Sequence, residues 1–280
     1  VVISAEGLII TNHHVIDDAN SVRVIFEDGR MYKAEIIGSD QLTDIGLVKI
    51  ESSSLTPIVI GNSDILLVGD LAVAIGHPLT LGAAPTVTTG IVSALERRLD
   101  VGGQDMNSSV TLFGLIQTDA PITRGSSGGA LLNQRGELIG ITTAIATADV
   151  GAEGLGFAVP INLALNISQD LLDDGKVYHS FLGILGAQHF EVADDGARIF
   201  SGVEIQELYG PANDIYAIGK AGALPGDIIK KVNDKNIKTL DGLITLLRSK
   251  KAGDEITIEI TRNGQVILLQ FLLDLRPSDV

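Results

Sequence analysis

Ser127 stands in the run Gly125-Ser126-Ser127-Gly128-Gly129. A serine among glycines can present its hydroxyl on a tight turn while neighbouring backbone N–H groups converge on one point. That combination supplies a nucleophile and an oxyanion hole, the two requirements of acyl transfer. Taken alone, the run reads equally well as a Gly/Ser turn. A serine hydroxyl is a weak nucleophile at neutral pH until a base accepts its proton. The adjacent His13 and His14, in Thr11-Asn12-His13-His14-Val15, offer that base. Asp44, in Thr43-Asp44-Ile45-Gly46-Leu47-Val48-Lys49, offers a carboxylate to fix the imidazole tautomer and stabilise its cation. Asp44 alone is as readily an ordinary turn residue, and His77 before Pro78 reads as a loop residue.

Chain order discriminates between serine chemistries. Gly125, Ser127 and Gly129 satisfy G-x-S-x-G, but that elbow leads from a strand into a helix and has its acid and histidine later in the chain. Here Leu131-Leu132 run through Asn133-Gln134-Arg135-Gly136 into Glu137-Leu138-Ile139-Gly140-Ile141, a hairpin pattern. The order is histidine, aspartate, serine, that of the chymotrypsin arrangement. One of the adjacent pair His13 and His14 is therefore assigned as base, Asp44 as its orienting carboxylate and Ser127 as nucleophile. The backbone N–H groups of Gly125, Ser126 and Ser127 are assigned as the oxyanion hole. No cysteine is present, so there is no thiol nucleophile or cysteine zinc site. The histidines form no H-E-x-x-H cluster, and His179 and His189 lack a carboxylate-rich context. No metal and no cofactor is expected.

These residues need a scaffold. Residues 1–160 read as short apolar-alternating segments divided by glycine and acidic turns, the signature of an all-β barrel or sandwich. After Pro160, Ile161, Ala164, Leu165, Ser168, Leu171 and Leu172 recur at helical spacing and Gly175 stops the run, predicting a helix over about 161–174. A second pattern begins near Phe181, with strands expected at 181–187, 202–208, 227–232, 255–261 and 266–273 and a helix at about 240–250. The 35 acidic and 20 basic residues give a net charge of -15, spread over both halves, which argues against a nucleic-acid or anionic-membrane footprint. The chain opens at Val1 in a strand-like run without methionine, so a missing amino-terminal segment is expected, with any membrane anchor.

The constellation resembles the HtrA/Deg family of trypsin-fold serine proteases. The resemblance rests on Thr11-Asn12-His13-His14-Val15, Thr43 to Lys49, Ala74-Ile75-Gly76-His77-Pro78, Ile116-Gln117-Thr118-Asp119-Ala120, the serine run, and Gly154-Leu155-Gly156-Phe157-Ala158-Val159-Pro160. It covers nearly all the chain and selects His14 over His13. Ser126 stands where asparagine is usual, Arg124 is atypical, and residues 97–115 look long for the loop leading into Ile116. The resemblance implies a mostly β chain: a trypsin-like double β-barrel protease domain over 1–165, a linker helix end over 166–179 and a PDZ domain over 180–275. Ile122 and Ile145 match positions that line the primary specificity pocket. Their apolar character implies cleavage after small aliphatic residues, since a basic side chain would be buried there without a partner.

Ser180-Phe181-Leu182-Gly183-Ile184 resembles a PDZ carboxylate-binding loop, and Leu224-Pro225-Gly226-Asp227-Ile228-Ile229 resembles the L-x-P-G-D-x-I core. Phe181, Leu182, Gly183 and Ile184, with Leu243 and Leu247, would hold a C-terminal peptide as an added strand. A single PDZ unit places the resemblance nearest the membrane-anchored, DegS-like regulatory branch. That branch implies a periplasmic homotrimer, anchored to the inner membrane through the missing segment. It would be activated by C-terminal peptides of misfolded outer-membrane proteins and would cleave an anti-sigma factor. Loops 96–115, 120–127 and 142–153 would switch between inactive and active arrangements. The alternatives are a two-PDZ quality-control protease or chaperone acting on unfolded protein, and a peptide-binding module with weak proteolysis.

Overall fold

The structure is a computed structural model that describes residues 1–52, 54–77, 84–101, 110–123, 125–143, 155–210 and 215–277. The chain divides into two compact units, Val1–Val177 and Tyr178–Val280.

In the first unit the early strands are β1 (Leu8–Thr11), β2 (Val22–Ile25), β3 (Met31–Asp40) and β4 (Ile45–Ile50), with the one-turn helix α1 (His13–Ile16) after β1. They form an antiparallel sheet in the order β1-β4-β3-β2. Among the described residues this sheet is four-stranded and does not close. The expected first barrel is thus a curled open sheet, because its opening strand is short and β2 pairs only with β3. The later strands are β5 (Leu71–Gly76), β6 (Thr86–Val101), β7 (Val110–Thr118), β8 (Ala130–Leu132), β9 (Leu138–Thr143) and β10 (Gly156–Pro160). These close into a barrel in the order β10-β7-β6-β5-β8-β9. Much of the stretch 97–115, expected as a loop, is strand: β6 runs to Val101, and Leu99 and Leu112 are paired and buried.

Strand β4 explains how Asp44 is held. Its side chains alternate between two cores, Ile45 and Leu47 facing one and Val48 and Ile50 the other. Each buried aliphatic side chain contributes about 2 kcal/mol, so the strand that begins one residue after Asp44 is fixed on both faces. Strand β9 is buried throughout, Leu138 and Ile141 facing the large core and Ile139 the barrel interior.

Helix α2 (Ile161–Asp174) ends at Gly175, whose φ of 69° gives a left-handed cap donating to Leu171 O at 2.9 Å. Its buried stripe is Ile161, Ala164, Ile167, Ser168 and Leu171. Ile167 takes the place expected for Leu172, which is 45% exposed. These side chains complete the core shared with Ile10 and Leu47, so the helix packs as part of the first unit.

The β8–β9 turn carries a local charge device. Hydrogen bonds from Arg135 and Asn133 hold the Glu137 carboxyl at about 2. The ordinary value is 4.5, so its stabilising contribution is present above about pH 4.5 and is lost as pH falls toward about 2. Glu137→Gln is expected to show a smaller loss of stability across that window in an acid-unfolding series, the effect being modest because Glu137 is only partly buried and its partner Arg135 is exposed.

In the second unit, β11 (Ser180–Phe181) pairs with β18 (Asp274–Leu275). The main sheet runs β12 (Ile184–Val192), β13 (Arg198–Leu208), β14 (Ile228–Val232), β16 (Glu255–Arg262), β17 (Gln265–Leu272), and β15 (Lys235–Asn236) pairs with β14. Helices α3 (Ala217–Lys220) and α4 (Leu240–Arg248) complete it, and the Thr239 hydroxyl caps α4 by accepting from Gly242 N at 3.0 Å. The Leu224-to-Asp227 turn is fastened by Arg262, which donates to the buried Asp227 carboxylate at 2.6 and 2.7 Å. Among the described residues no helix is long and apolar enough to cross a membrane.

Candidate active site

His14 and Asp44 come together where α1 meets the start of β4. His14 Nδ1 lies 2.8 and 3.0 Å from the two Asp44 carboxylate oxygens, and the His14 backbone N–H donates to Oδ1 at 3.2 Å. Asp44 is 3% exposed, so its charge is desolvated and must be fully hydrogen-bonded. Thr143 at the end of β9 donates its hydroxyl to Oδ2 at 3.1 Å. Sequence reasoning did not assign Thr143, because a threonine closing a strand has no pattern of its own. With Nδ1–H given to the carboxylate, His14 presents Nε2 as a proton acceptor. His13 is engaged elsewhere: its Nδ1 is 2.9 Å from Ser39 Oγ and its Nε2 3.6 Å from Asp17.

The serine loop is bound to β9 by the residue before Thr143. Thr142 donates its hydroxyl to Ser126 O at 2.5 Å, its carbonyl accepts from Gly128 N at 2.9 Å, and its N–H donates to Gly129 O at 3.0 Å. Gly125 and Gly128 have φ of 91° and 76°, the left-handed region that glycine enters without strain. A Cβ on Gly128 would lie 2.5 Å from Thr11 Oγ1, so the loop comes flush against the end of β1, just ahead of His14. One assignment is corrected. The Ser126 N–H donates to Thr123 O at 2.9 Å, closing a turn, and is not an oxyanion donor. The candidate donors narrow to the amides of Gly125 and Ser127.

Of the two residues expected to line the pocket, Ile122 is 6% exposed and lies in the barrel core, its Cδ1 2.6 Å from where a Cβ on Gly156 would stand. Ile145 lies outside the described residues, as does Arg124. His77 is exposed.

The second unit holds the candidate peptide groove, an open strand edge beside a helix. Among the described residues β12 has a strand neighbour on one side only, and α4 packs over it. Gly183, with φ of 72°, lets the chain turn into β12 beneath Tyr216, whose ring meets Phe181 edge to face at 5.0 Å. The Gly183 carbonyl accepts from Tyr209 N at 2.8 Å, so the Ile184 N–H on the same peptide plane points to the open side. Leu182 and Leu243, 4% and 2% exposed, belong to the core beneath the groove. Ile184 and Leu247 are only partly buried and offer its apolar surface. Gln188, not assigned from sequence, joins strand to helix by donating to Lys238 O at 2.8 Å and accepting from Leu240 N at 3.1 Å.

The trypsin-like peptidase domain family matches residues 1–141 and the PDZ domain family residues 183–273. The solved HtrA-type protease AlgW with tripeptide is 36% identical, with a TM-score of 0.77 over 99% of this chain and 89% of that one. The chain belongs to the HtrA/Deg family of trypsin-like serine proteases. Among curated relatives, the periplasmic pH-dependent serine endoprotease DegQ of Escherichia coli K12 is 40% identical over 99% of this chain and 59% of its own length. The periplasmic serine endoprotease DegP of Salmonella typhimurium is 38% identical over 98% of this chain and 55% of its own length. The chain thus spans little more than half the length of these relatives. They overturn the placement in the DegS-like regulatory branch: this HtrA/Deg chain is of the DegP/DegQ type.

Proposed function

We propose that the chain is a periplasmic serine endopeptidase of envelope quality control that degrades unfolded protein and is regulated through its PDZ groove. The observation that carries the reading is the His14–Asp44–Thr143 hydrogen-bond chain beside the glycine-braced Ser127 loop. The family gives the reaction class, and the names of DegQ and DegP support periplasmic protease work. In the mechanism, His14 Nε2 accepts the Ser127 hydroxyl proton as Oγ bonds to the peptide carbonyl carbon. Gly125 and Ser127 N–H groups stabilise the oxyanion. Collapse breaks the C–N bond, and His14 returns the proton to the leaving amine. Water, deprotonated by His14, then hydrolyses the acyl-enzyme and frees Ser127. Asp44 stays ionised and stabilises the imidazolium in both steps. Cleavage after small aliphatic residues such as valine or alanine rests on the family resemblance at Ile122 and Ile145, Ile122 itself being buried in the barrel core.

The PDZ groove takes a C-terminal peptide as a strand on the open edge of β12, its carboxylate at the Leu182–Ile184 amides and its last side chain against Ile184 and Leu247. One solved relative carries a tripeptide and another a decapeptide. The test is cleavage of an unfolded protein, with fluorophosphonate labelling, with and without a library of peptides bearing free C-termini. The expected result is labelling of Ser127 and faster cleavage with peptides ending in an apolar residue. No cleavage and no labelling at saturating peptide would instead make the chain a peptide-binding module.

A further inference from the structure

Asn12 occupies the N-cap position of α1, where an asparagine normally turns its side chain onto the helix amides. Here it makes no such bond. Its side chain crosses to the other half of the catalytic pair, and Nδ2 donates to the backbone carbonyl of Asp44 at 3.0 Å. Asn12 is 0% exposed, and its Oδ1 has no hydrogen-bond partner among the described residues. An orphaned buried oxygen opposes folding, so the amide is poorly explained as a stabilising contact. Its acceptor explains it better. Asp44 is a non-glycine residue with φ of 56°, a left-handed conformation that aspartate enters more readily than most residues when a local hydrogen bond supports it. In that conformation its carboxylate turns toward His14 while its carbonyl turns toward Asn12. Gly46 lets the two segments close up, since a Cβ there would lie 2.6 Å from Ile16 and 3.1 Å from Asn12 O.

We infer that Asn12 is a positioning residue for catalysis, which holds the left-handed Asp44 backbone and thereby aims the carboxylate at His14. It touches no substrate and acts through Asp44.

The inference separates activity from stability. Asn12→Ala removes the orphaned oxygen but leaves the buried Asp44 carbonyl without this donor, so its thermal midpoint should fall by only a few degrees and the chain should stay folded at the assay temperature. Its kcat should fall about 10- to 100-fold, as expected for a displaced catalytic group, with KM within about twofold because no binding contact is lost. The acid limb of the kcat/KM–pH profile should move about one unit lower, because the His14 cation loses part of its carboxylate stabilisation. Other titratable groups beside α1 include His13, Asp17 and Asp18, with Asp40 at the end of the β3 strand packed against it, and the substitution leaves them in place. Asn12→Asp preserves the size but sets an acceptor against the Asp44 carbonyl, and should be less active than the alanine variant. If the alanine variant does not fold, Asn12→Ser, which is uncharged and shorter than the native amide, carries the same pH measurement, because the aspartate variant adds a charge that would itself move the profile. Parent-like kcat in the alanine or the aspartate variant overturns the inference. So does a fall in kcat that tracks the lost folded fraction with an unmoved pH profile.

Discussion

Asparagine in place of Asp44 is expected to lower kcat by about 10⁴-fold at neutral pH while the chain stays folded. Asparagine is nearly isosteric, and the backbone contact with Asn12 does not involve the carboxylate. The side chain, however, must satisfy His14 Nδ1, the His14 backbone N–H and the Thr143 hydroxyl together. A carboxylate accepts from all three. An amide accepts on one atom only, and its NH₂ directed at Nδ1 selects the tautomer whose proton sits on Nε2, facing the serine. The base then cannot accept. Single-turnover cleavage of a peptide substrate reads the effect: kcat should collapse while KM changes little. A loss below about tenfold would show that the Asp44–His14 contact is not used in the reaction.

Ser127→Ala is expected to produce the larger loss, about 10⁶-fold in kcat, leaving the residual rate that binding and an oxyanion hole supply. The substitution removes one oxygen from a loop whose shape is set by its neighbours: Thr142 bonded to Ser126 O, Gly128 and Gly129, and Gly128 flush against Thr11. The thermal midpoint and binding of an unfolded substrate should therefore survive. Intact-mass spectrometry after fluorophosphonate treatment should show one adduct on the parent and none on the variant. An adduct on the variant would move the nucleophile to another residue.

The proposed triad can be named from the sequence because acyl transfer demands particular residue types, and their order along the chain excludes the helix-bearing elbow; the structure brings His14 and Asp44 of it together. The residues that aim the triad cannot be named that way. Thr143 and Asn12 act by where the fold delivers one hydroxyl and one amide, and neither spacing nor composition encodes that. Ser126 was misassigned for a related reason. Its N–H is as available as its neighbours' on paper, and only the turn to Thr123 shows that it is used up. Helix α2 was read correctly in extent but rotated in part, since Ile167 and Leu172 both fit an apolar stripe and the packing chose Ile167. Leu182 and Leu243 were read as groove surface, yet the sheet draws both into the core. The branch was read from the number of PDZ units, but a chain spanning little more than half of its relatives does not report that number.

Thr142 and Thr143 are successive residues on β9, and their side chains leave opposite faces of the strand. One face fastens the nucleophile loop and the other the carboxylate that serves the base. Sliding β9 by one residue would reverse those faces and misplace the pairs with Gly128 and Gly129. Both halves of the cutting apparatus thus depend on a single strand register, reached only when the barrel has closed. A chain with β9 in any other register is expected to lose both supports at once, so the order of this one strand doubles as a check on the cutting apparatus.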